Sequence, residues 1–112
     1  MQWSQEETEQ FHIMVNRCLN ENEIASILGR RVAQVRTKSM FENIVFRDGY
    51  PVQTPVFLAA LAKAIKMVKA DGYFVTRHND DGDVYYTLMI NDRPTRRLSE
   101  YELVKFAKVS FE

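Results

Sequence analysis

One short stretch of the chain concentrates positive charge. Arg30, Arg31, Arg36 and Lys38 lie within nine residues that contain no acidic residue, and Gln34 lies between them. Guanidinium and ammonium groups bind phosphates, and arginine and glutamine side chains also form paired hydrogen bonds with base edges in the major groove of DNA. A charged helix surface is more commonly just solvated, so the assignment depends on the elements that would position these side chains.

The residues around this stretch predict two short helices joined by a tight turn. Apolar residues recur at helical spacing before and after Gly29, which lacks a Cβ and therefore adopts the positive φ that ends a helix at little cost. Ala25 is small enough to let two helices cross closely. The pattern predicts a helix-turn-helix with its second helix over residues 31–42. The apolar residues are Ile24, Ala25, Leu28, Val32 and Val35.

The exposed face of this second helix is expected to contact double-stranded DNA in the major groove. Arg36 and Gln34 are the expected base-reading residues, and the other members are expected to contact phosphates. The predicted DNA-binding residues are Arg30, Arg31, Gln34, Arg36, Thr37 and Lys38.

A further helix is predicted before these two. Ser4 and Glu7 have the spacing of a capping box, and the apolar residues from Phe11 to Leu19 follow an amphipathic helical pattern. Asn20 is the expected cap of the next helix. Residues 1–43 therefore predict a unit of three helices.

This unit resembles the Myb/SANT-like helix-turn-helix family. The resemblance implies that Trp3 packs under the three helices and that residues 32–39 enter the major groove. Myb repeats have several tryptophans where this chain has one, so Phe11 and Phe41 are candidates for the other aromatic core positions. SANT-type members often bind proteins, so the resemblance by itself does not choose between DNA and protein. The residues that carry it are Trp3-Ser4 with Glu6-Glu7, then Ile24-Ala25, Leu28-Gly29-Arg30 and Gln34-Val35-Arg36.

Residues 44–112 predict a second, smaller α+β module after a turn-rich boundary. An apolar-rich helix with a proline at its first position is predicted over residues 55–70. Two β-prone runs predict a hairpin over residues 73–90 with a bulged or longer turn. A capping box predicts a last helix over residues 99–108. The predicted fold class of the whole chain is therefore α+β.

A second group of cations lies between the predicted hairpin and the last helix. Arg93, Arg96 and Arg97 are candidate secondary DNA contacts in the manner of a winged-helix wing, although partner binding and plain solvation fit them equally well. The acidic residues around Gly82 lack the pattern of a calcium loop that ends in a glutamate, so we expect a solvated turn there.

Composition limits the classes of function. The 112 residues include 15 Lys and Arg against 15 Asp and Glu, so affinity for nucleic acid must come from a local patch. Cys18 is the only cysteine, and no apolar run is long enough for a membrane span. We expect no membrane contact and a cytoplasmic location, nucleoid-associated if the chain binds DNA. The sequence also lacks any catalytic, metal-binding or cofactor-binding pattern, so we expect no enzymatic activity, no metal and no cofactor.

Together these observations favour a small, non-enzymatic DNA-binding protein, a transcriptional regulator of a bacterium or a phage. One helix-turn-helix covers few base pairs, so residues 44–112 are expected to mediate a homodimer or to bind a protein partner. The alternative is a protein-binding adaptor or inhibitor, for example a phage-encoded one, that docks on a host enzyme such as RNA polymerase. Zero net charge and the acidic residues of the first two helices favour this alternative.

Overall fold

The computed structural model describes residues 2–111, with the backbone alone at positions 94 and 95. Within these residues it contains five helices and two small antiparallel sheets, which confirms the predicted α+β class. The chain forms two compact units. The first extends to Leu58 and includes Phe111, and the second is Ala59–Ser110. The predicted module boundary after residue 43 lies inside the first unit.

Three helices make up most of the first unit, and local sequence signals set their ends. Ser4 and Glu7 form the predicted capping box, and Asn20 caps the second helix through its side-chain oxygen. Gly29 has a φ of 65°, in the left-handed region that a residue without Cβ adopts cheaply. The chain therefore turns there from one helix into the next. The helices are α1 (Gln5–Asn16), α2 (Glu21–Leu28) and α3 (Val32–Phe41).

The core of the first unit contains residues from all three helices. Phe11, Ile24 and Val35 are fully buried. Trp3 packs against this cluster, with its ring edge-on to Phe11 at 5.6 Å between centroids. Phe41, the other candidate for an aromatic core position, is 80% exposed. That expectation was wrong because the last turn of α3 presents Phe41 on the side of the helix away from Val35.

Cys18 lies just after α1 and is 3% exposed. Burial raises the pKa of its thiol to about 11. The thiol is therefore protonated at neutral pH and acts as a small apolar side chain.

A short hairpin follows α3 in the same unit. It consists of β1 (Phe46–Arg47) and β2 (Tyr50–Pro51), which pair antiparallel. The carbonyl oxygen of Gly49 accepts a hydrogen bond from the backbone N–H of Glu21 at 2.8 Å. This bond ties the hairpin turn to the first turn of α2 and satisfies one of the N–H groups that a helix start leaves unpaired.

The second unit is built around a three-stranded antiparallel sheet with the order β3-β4-β5. Alternate residues of the central strand are buried, namely Val84, Tyr86 and Leu88, which is the pattern of a sheet with one covered face. The helices of this part of the chain supply most of the other buried residues, mainly alanine, leucine and valine, and Leu98 of the third strand is also buried. The elements are α4 (Pro55–Ala70, which begins in the first unit), β3 (Phe74–Asp80), β4 (Asp83–Ile90), β5 (Arg93–Ser99) and α5 (Glu100–Phe106).

The turn between β3 and β4 is shorter than predicted. Strand pairing continues to Asp80 and Asp83, so the loop has only two residues, Asp81 and Gly82. Both have positive φ, 51° and 90°, as the tight turns that match strand twist require. The acidic residues thus lie at an exposed strand end, where their charges remain solvated.

Strand β5 was not predicted. A second two-residue turn, Asn91-Asp92, also has positive φ at both positions and returns the chain alongside β4. The sequence does not predict this strand, because Pro94 cannot donate a ladder hydrogen bond and proline is tolerated only at sheet edges or bulges. The register does shift between Leu88 and Met89, opposite this part of β5.

The crossing of α1, α2 and α3 gives a direct test of the first unit. Replacing Ala25 by leucine should reduce the free energy of unfolding by about 1–3 kcal/mol, because the added carbon atoms would overpack a buried position. Ser26→Leu, at the exposed neighbouring position, is the matched control and should change stability little. Chemical unfolding measures both, and equal midpoints for the two variants would contradict the packing described.

Candidate nucleic-acid interface

The exposed face of α3 is defined by the burial of its opposite side. Val35 is fully buried and Ser39 is 4% exposed, so the helix presents the other side to solvent. At 3.6 residues per turn, Ala33, Thr37 and Met40 lie within about 60° of arc on that exposed side. Met40 is 78% exposed. We call these three residues the α3 stripe.

Arg36 flanks the α3 stripe and is held by an acidic residue of α2. Its Nε and Nη2 groups donate to Glu21 Oε2 and Oε1 at 3.1 and 2.7 Å. The Glu21 side chain is 11% exposed, whereas that of Arg36 is 64% exposed. The pair raises the pKa of Arg36 further, through this hydrogen bond first and the charge of Glu21 second. The Nη1 group takes no part in the pair, so Arg36 retains donors for an outside partner.

Arg31, the N-cap residue of α3, is the one of the four clustered cations for which the described residues show no ion pair. It is exposed and occupies the residue before the first turn of α3. Its backbone N–H donates to the Gln34 side-chain oxygen at 2.9 Å. Gln34 is half-buried and uses its oxygen as a cap, so it is not the free base-reading amide that the sequence suggested.

Arg30 does not lie on the exposed face. Its Nε and Nη2 groups donate to Glu7 Oε2 and Oε1 at 2.7 and 3.0 Å, and Nη2 also donates to the carbonyl oxygen of Gln2. The guanidinium stacks over the Trp3 ring at 4.2 Å from the centroid, and the side chain is only 5% exposed. Arg30 therefore holds α1 and the N-terminal segment in place and is withdrawn from any DNA-facing surface.

Lys38 is also engaged internally. Its Nζ lies 3.0 Å from Glu42 Oε1 and 5.5 Å from the Trp3 ring centroid, and its side chain is 16% exposed. The lysine lowers the pKa of Glu42, through a hydrogen bond first. Since its charge is compensated one turn along α3, Lys38 has little capacity left for a phosphate.

The remaining predicted residue, Thr37, lies at the centre of the α3 stripe. Its hydroxyl donates to the carbonyl oxygen of Ala33 at 3.0 Å, one turn earlier. The hydroxyl proton is thus committed to the helix, and the methyl group is the part of the side chain left for outside contacts.

Acidic residues balance the cations of the first unit. Residues 2–58 carry six Lys and Arg against seven Asp and Glu. Three of the four clustered cations are paired with Glu7, Glu21 and Glu42, which come from α1, α2 and the end of α3. The positive charge that the sequence concentrates in residues 30–38 is therefore largely neutralised.

The second cation group lies on strand β5 rather than in a loop. Arg97 Nη2 is 3.5 Å from Asp83 Oδ2, and its guanidinium lies 3.8 Å from the centroid of the Tyr85 ring. Arg96 lies 5.3 Å from the centroid of the Phe106 ring. Arg93 is exposed at the start of the strand. Two of the three arginines are thus engaged within their own unit, and charged residues on an edge strand also discourage pairing with other chains.

Ala33 and Met40 of the α3 stripe are not among the residues predicted from the sequence, which all have charged, amide or hydroxyl side chains. The signal was present in the helical pattern. Once Val35 is taken as the buried residue of α3, the positions opposite it follow from the angle per residue, and these are 33, 37 and 40.

Comparisons with known proteins give no relative from which a role could be transferred. The chain matches no protein-family model, no curated protein and no solved structure. Among the described residues, no helix has both the length and the apolar character to cross a membrane, and no three His, Cys, Asp or Glu side chains are grouped to hold a metal ion.

The pair of Arg30 and Glu7 makes stability depend on pH. Arg30 lowers the pKa of Glu7, so the stabilisation is complete above the ordinary glutamate pKa of 4.5 and is lost as the pH falls below it. Glu7→Gln should therefore unfold at lower urea concentration than the wild type at neutral pH, and this difference should shrink in acid. Glu9→Gln, in the same helix but exposed, is the control. If the difference in stability between Glu7→Gln and the wild type were equal at neutral and at acidic pH, the stabilising role of the Arg30–Glu7 pair would be contradicted.

Proposed function

We propose that the chain binds double-stranded DNA by inserting α3 into the major groove. The observation that supports this most is the exposed α3 stripe, displayed on a helix that the Gly29 turn and the buried Val35 hold at the edge of a three-helix unit. A helix with one exposed face has a width that the major groove accepts.

Two cations supply the phosphate contacts in this proposal. Arg31 is exposed, and Arg36 keeps its Nη1 group while its other nitrogen atoms bind Glu21. Arg30 and Lys38 are left out, because Glu7 and Glu42 neutralise them. With about two phosphates neutralised, the logarithm of the binding constant should fall with the logarithm of salt concentration at a slope of about −2. The electrostatic part of the affinity is therefore small.

Salt titration with an arginine variant tests this function. Arg31→Ala should reduce the slope by about one, since each phosphate contact contributes about 0.9. The variant leaves the ion pairs of the first unit intact. Lys63→Ala, which removes an exposed lysine of α4 in the second unit, is the matched charge control and should keep the wild-type slope. The measurement is fluorescence anisotropy of a labelled duplex at several salt concentrations.

Two results would count against DNA binding by α3. One is a wild-type chain that binds no duplex even at low salt, whether random or enriched from a pool. The other is a slope that falls as much in Lys63→Ala as in Arg31→Ala.

A second candidate function is docking on another protein, as an adaptor or inhibitor. It is favoured by Met40 and Phe41, which are 78% and 80% exposed at the end of α3, and by the excess of acids over cations in residues 2–58. Adjacent exposed apolar side chains, which form a patch, mark interaction surfaces more often than single exposed apolar residues do. Absence of duplex binding at low salt would favour this candidate over the first.

The second unit is the proposed site of self-association. Its edge strands differ, because β5 carries Pro94 and three arginines, whereas β3 carries Phe74, which is 71% exposed. Proline and cations discourage strand pairing, so β3 is the edge suited to a second copy of the chain. Phe74→Lys should shift a concentration-dependent dimer to monomer in sedimentation equilibrium. A wild-type chain that stays monomeric at every concentration would contradict this.

A further inference from the structure

The centre of the proposed DNA-facing surface offers no free hydrogen-bond donor from the side chains of the α3 stripe. Ala33 ends in a methyl group, and the hydroxyl proton of Thr37 is donated to the Ala33 carbonyl oxygen. Met40 adds a thioether, which is a weak acceptor at best. The nearest cation, Arg36, is turned toward Glu21 by two hydrogen bonds. The α3 stripe therefore presents mainly methyl and methylene groups, with Met40 as its largest member and the Thr37 hydroxyl oxygen as its one strong acceptor.

An apolar surface distinguishes bases in one way only. Hydrogen-bond patterns identify guanine, adenine and cytosine in the major groove, and an apolar side chain satisfies none of them. The apolar group that a base pair offers there is the C5-methyl of thymine. A methionine laid against guanine or cytosine edges would instead desolvate polar atoms without compensation, which costs free energy.

From this chemistry we infer that the α3 stripe recognises the C5-methyl groups of thymine, with Met40 as the main specificity-determining residue. The inference rests on the proposed function, because it assigns a base preference to the same helix. The site it predicts is rich in A·T pairs under α3, and Arg31 and Arg36 contact the phosphates at its borders.

The length of the α3 stripe matches a short run of A·T base pairs. Positions 33 and 40 are seven residues apart, which is about 10 Å along a helix that rises 1.5 Å per residue. Bases of one strand repeat every 3.4 Å, so a helix lying along the groove would span about three base-pair steps between Ala33 and Met40. The three rotatable bonds of methionine let its methyl group follow whichever thymine lies within reach.

Replacement of thymine by uracil isolates the methyl group. The probe is the duplex that the intact chain enriches from a random pool, made once with thymine and once with uracil at every thymine position. Base pairing and groove hydrogen bonds are the same in both. The wild-type chain should bind the uracil duplex about fourfold more weakly for each methyl group it contacts, since burying one such group contributes about as much as one CH₂.

Met40→Ala tests the residue and not only the base. Met40 is 78% exposed, so the substitution should leave the fold intact, and thermal unfolding checks this. The variant should bind the thymine duplex more weakly and lose most of the discrimination between the two duplexes. Ile27→Ala is the matched control, because Ile27 is also exposed but lies on α2, and this variant should keep the wild-type ratio.

The outcomes separate this inference from the proposed function. Tight binding of both duplexes with equal affinity would overturn thymine recognition while DNA binding stands. Discrimination that persists unchanged in Met40→Ala would overturn the role of Met40, because the preference would then come from the shape of the DNA or from another residue. Failure to bind either duplex would overturn the proposed function itself.

Discussion

The burial of Val35 and Ser39 fixes how α3 presents itself, and most of the first unit depends on this. Val35 is fully buried, and the Ser39 hydroxyl donates to the Val35 carbonyl oxygen at 2.8 Å, so α3 itself satisfies the hydrogen bond of this buried hydroxyl. A helix with one side fixed in a core has no freedom to choose the side it exposes. The surface at positions 33, 37 and 40 is therefore a consequence of core packing.

The same packing explains why the clustered cations do not form a strongly basic surface. Glu7 of α1, Glu21 of α2 and Glu42 at the C-cap of α3 each pair with a cation, and the Arg30 pair is also shielded by the Trp3 ring. Pairing of this kind positions helices with directional hydrogen bonds and reduces the field that would attract DNA from a distance. With most of its clustered cations paired, the first unit would depend on shape and apolar contact, or on two linked copies, for the proposed affinity for DNA.

The elements set by local chemistry could be predicted from the sequence. Capping boxes at Ser4 and Ser99, the turn at Gly29 and the proline start of α4 depend on residues within one helical turn of each other, and the structure confirms them. The two-residue hairpin turns depend on positive φ at Asp81, Asn91 and Asp92. Aspartate and asparagine tolerate this conformation but do not require it, so the pattern left the turn length open.

Long-range contacts account for what could not be predicted. The partners Glu7 and Arg30 are separated by 23 positions, and Glu21 and Arg36 by 15, so no local pattern links them. Phe41 illustrates the opposite error, since its type suggested a core residue while its angle around α3 places it in solvent. For the candidate site, the sequence therefore showed where the cations are clustered, but it did not show which of them are paired with carboxylates.

The claim that α3 is the surface that meets DNA can be tested most directly by chemical-shift mapping. The intact chain, labelled with ¹⁵N, is titrated with the duplex enriched from a random pool, and backbone amide shifts are followed residue by residue. We predict the largest shifts at positions 31 to 41 and near Gly29, with small changes in the strands of the second unit. Shifts centred on strands β4 and β5, or none at a duplex concentration that saturates binding, would contradict it.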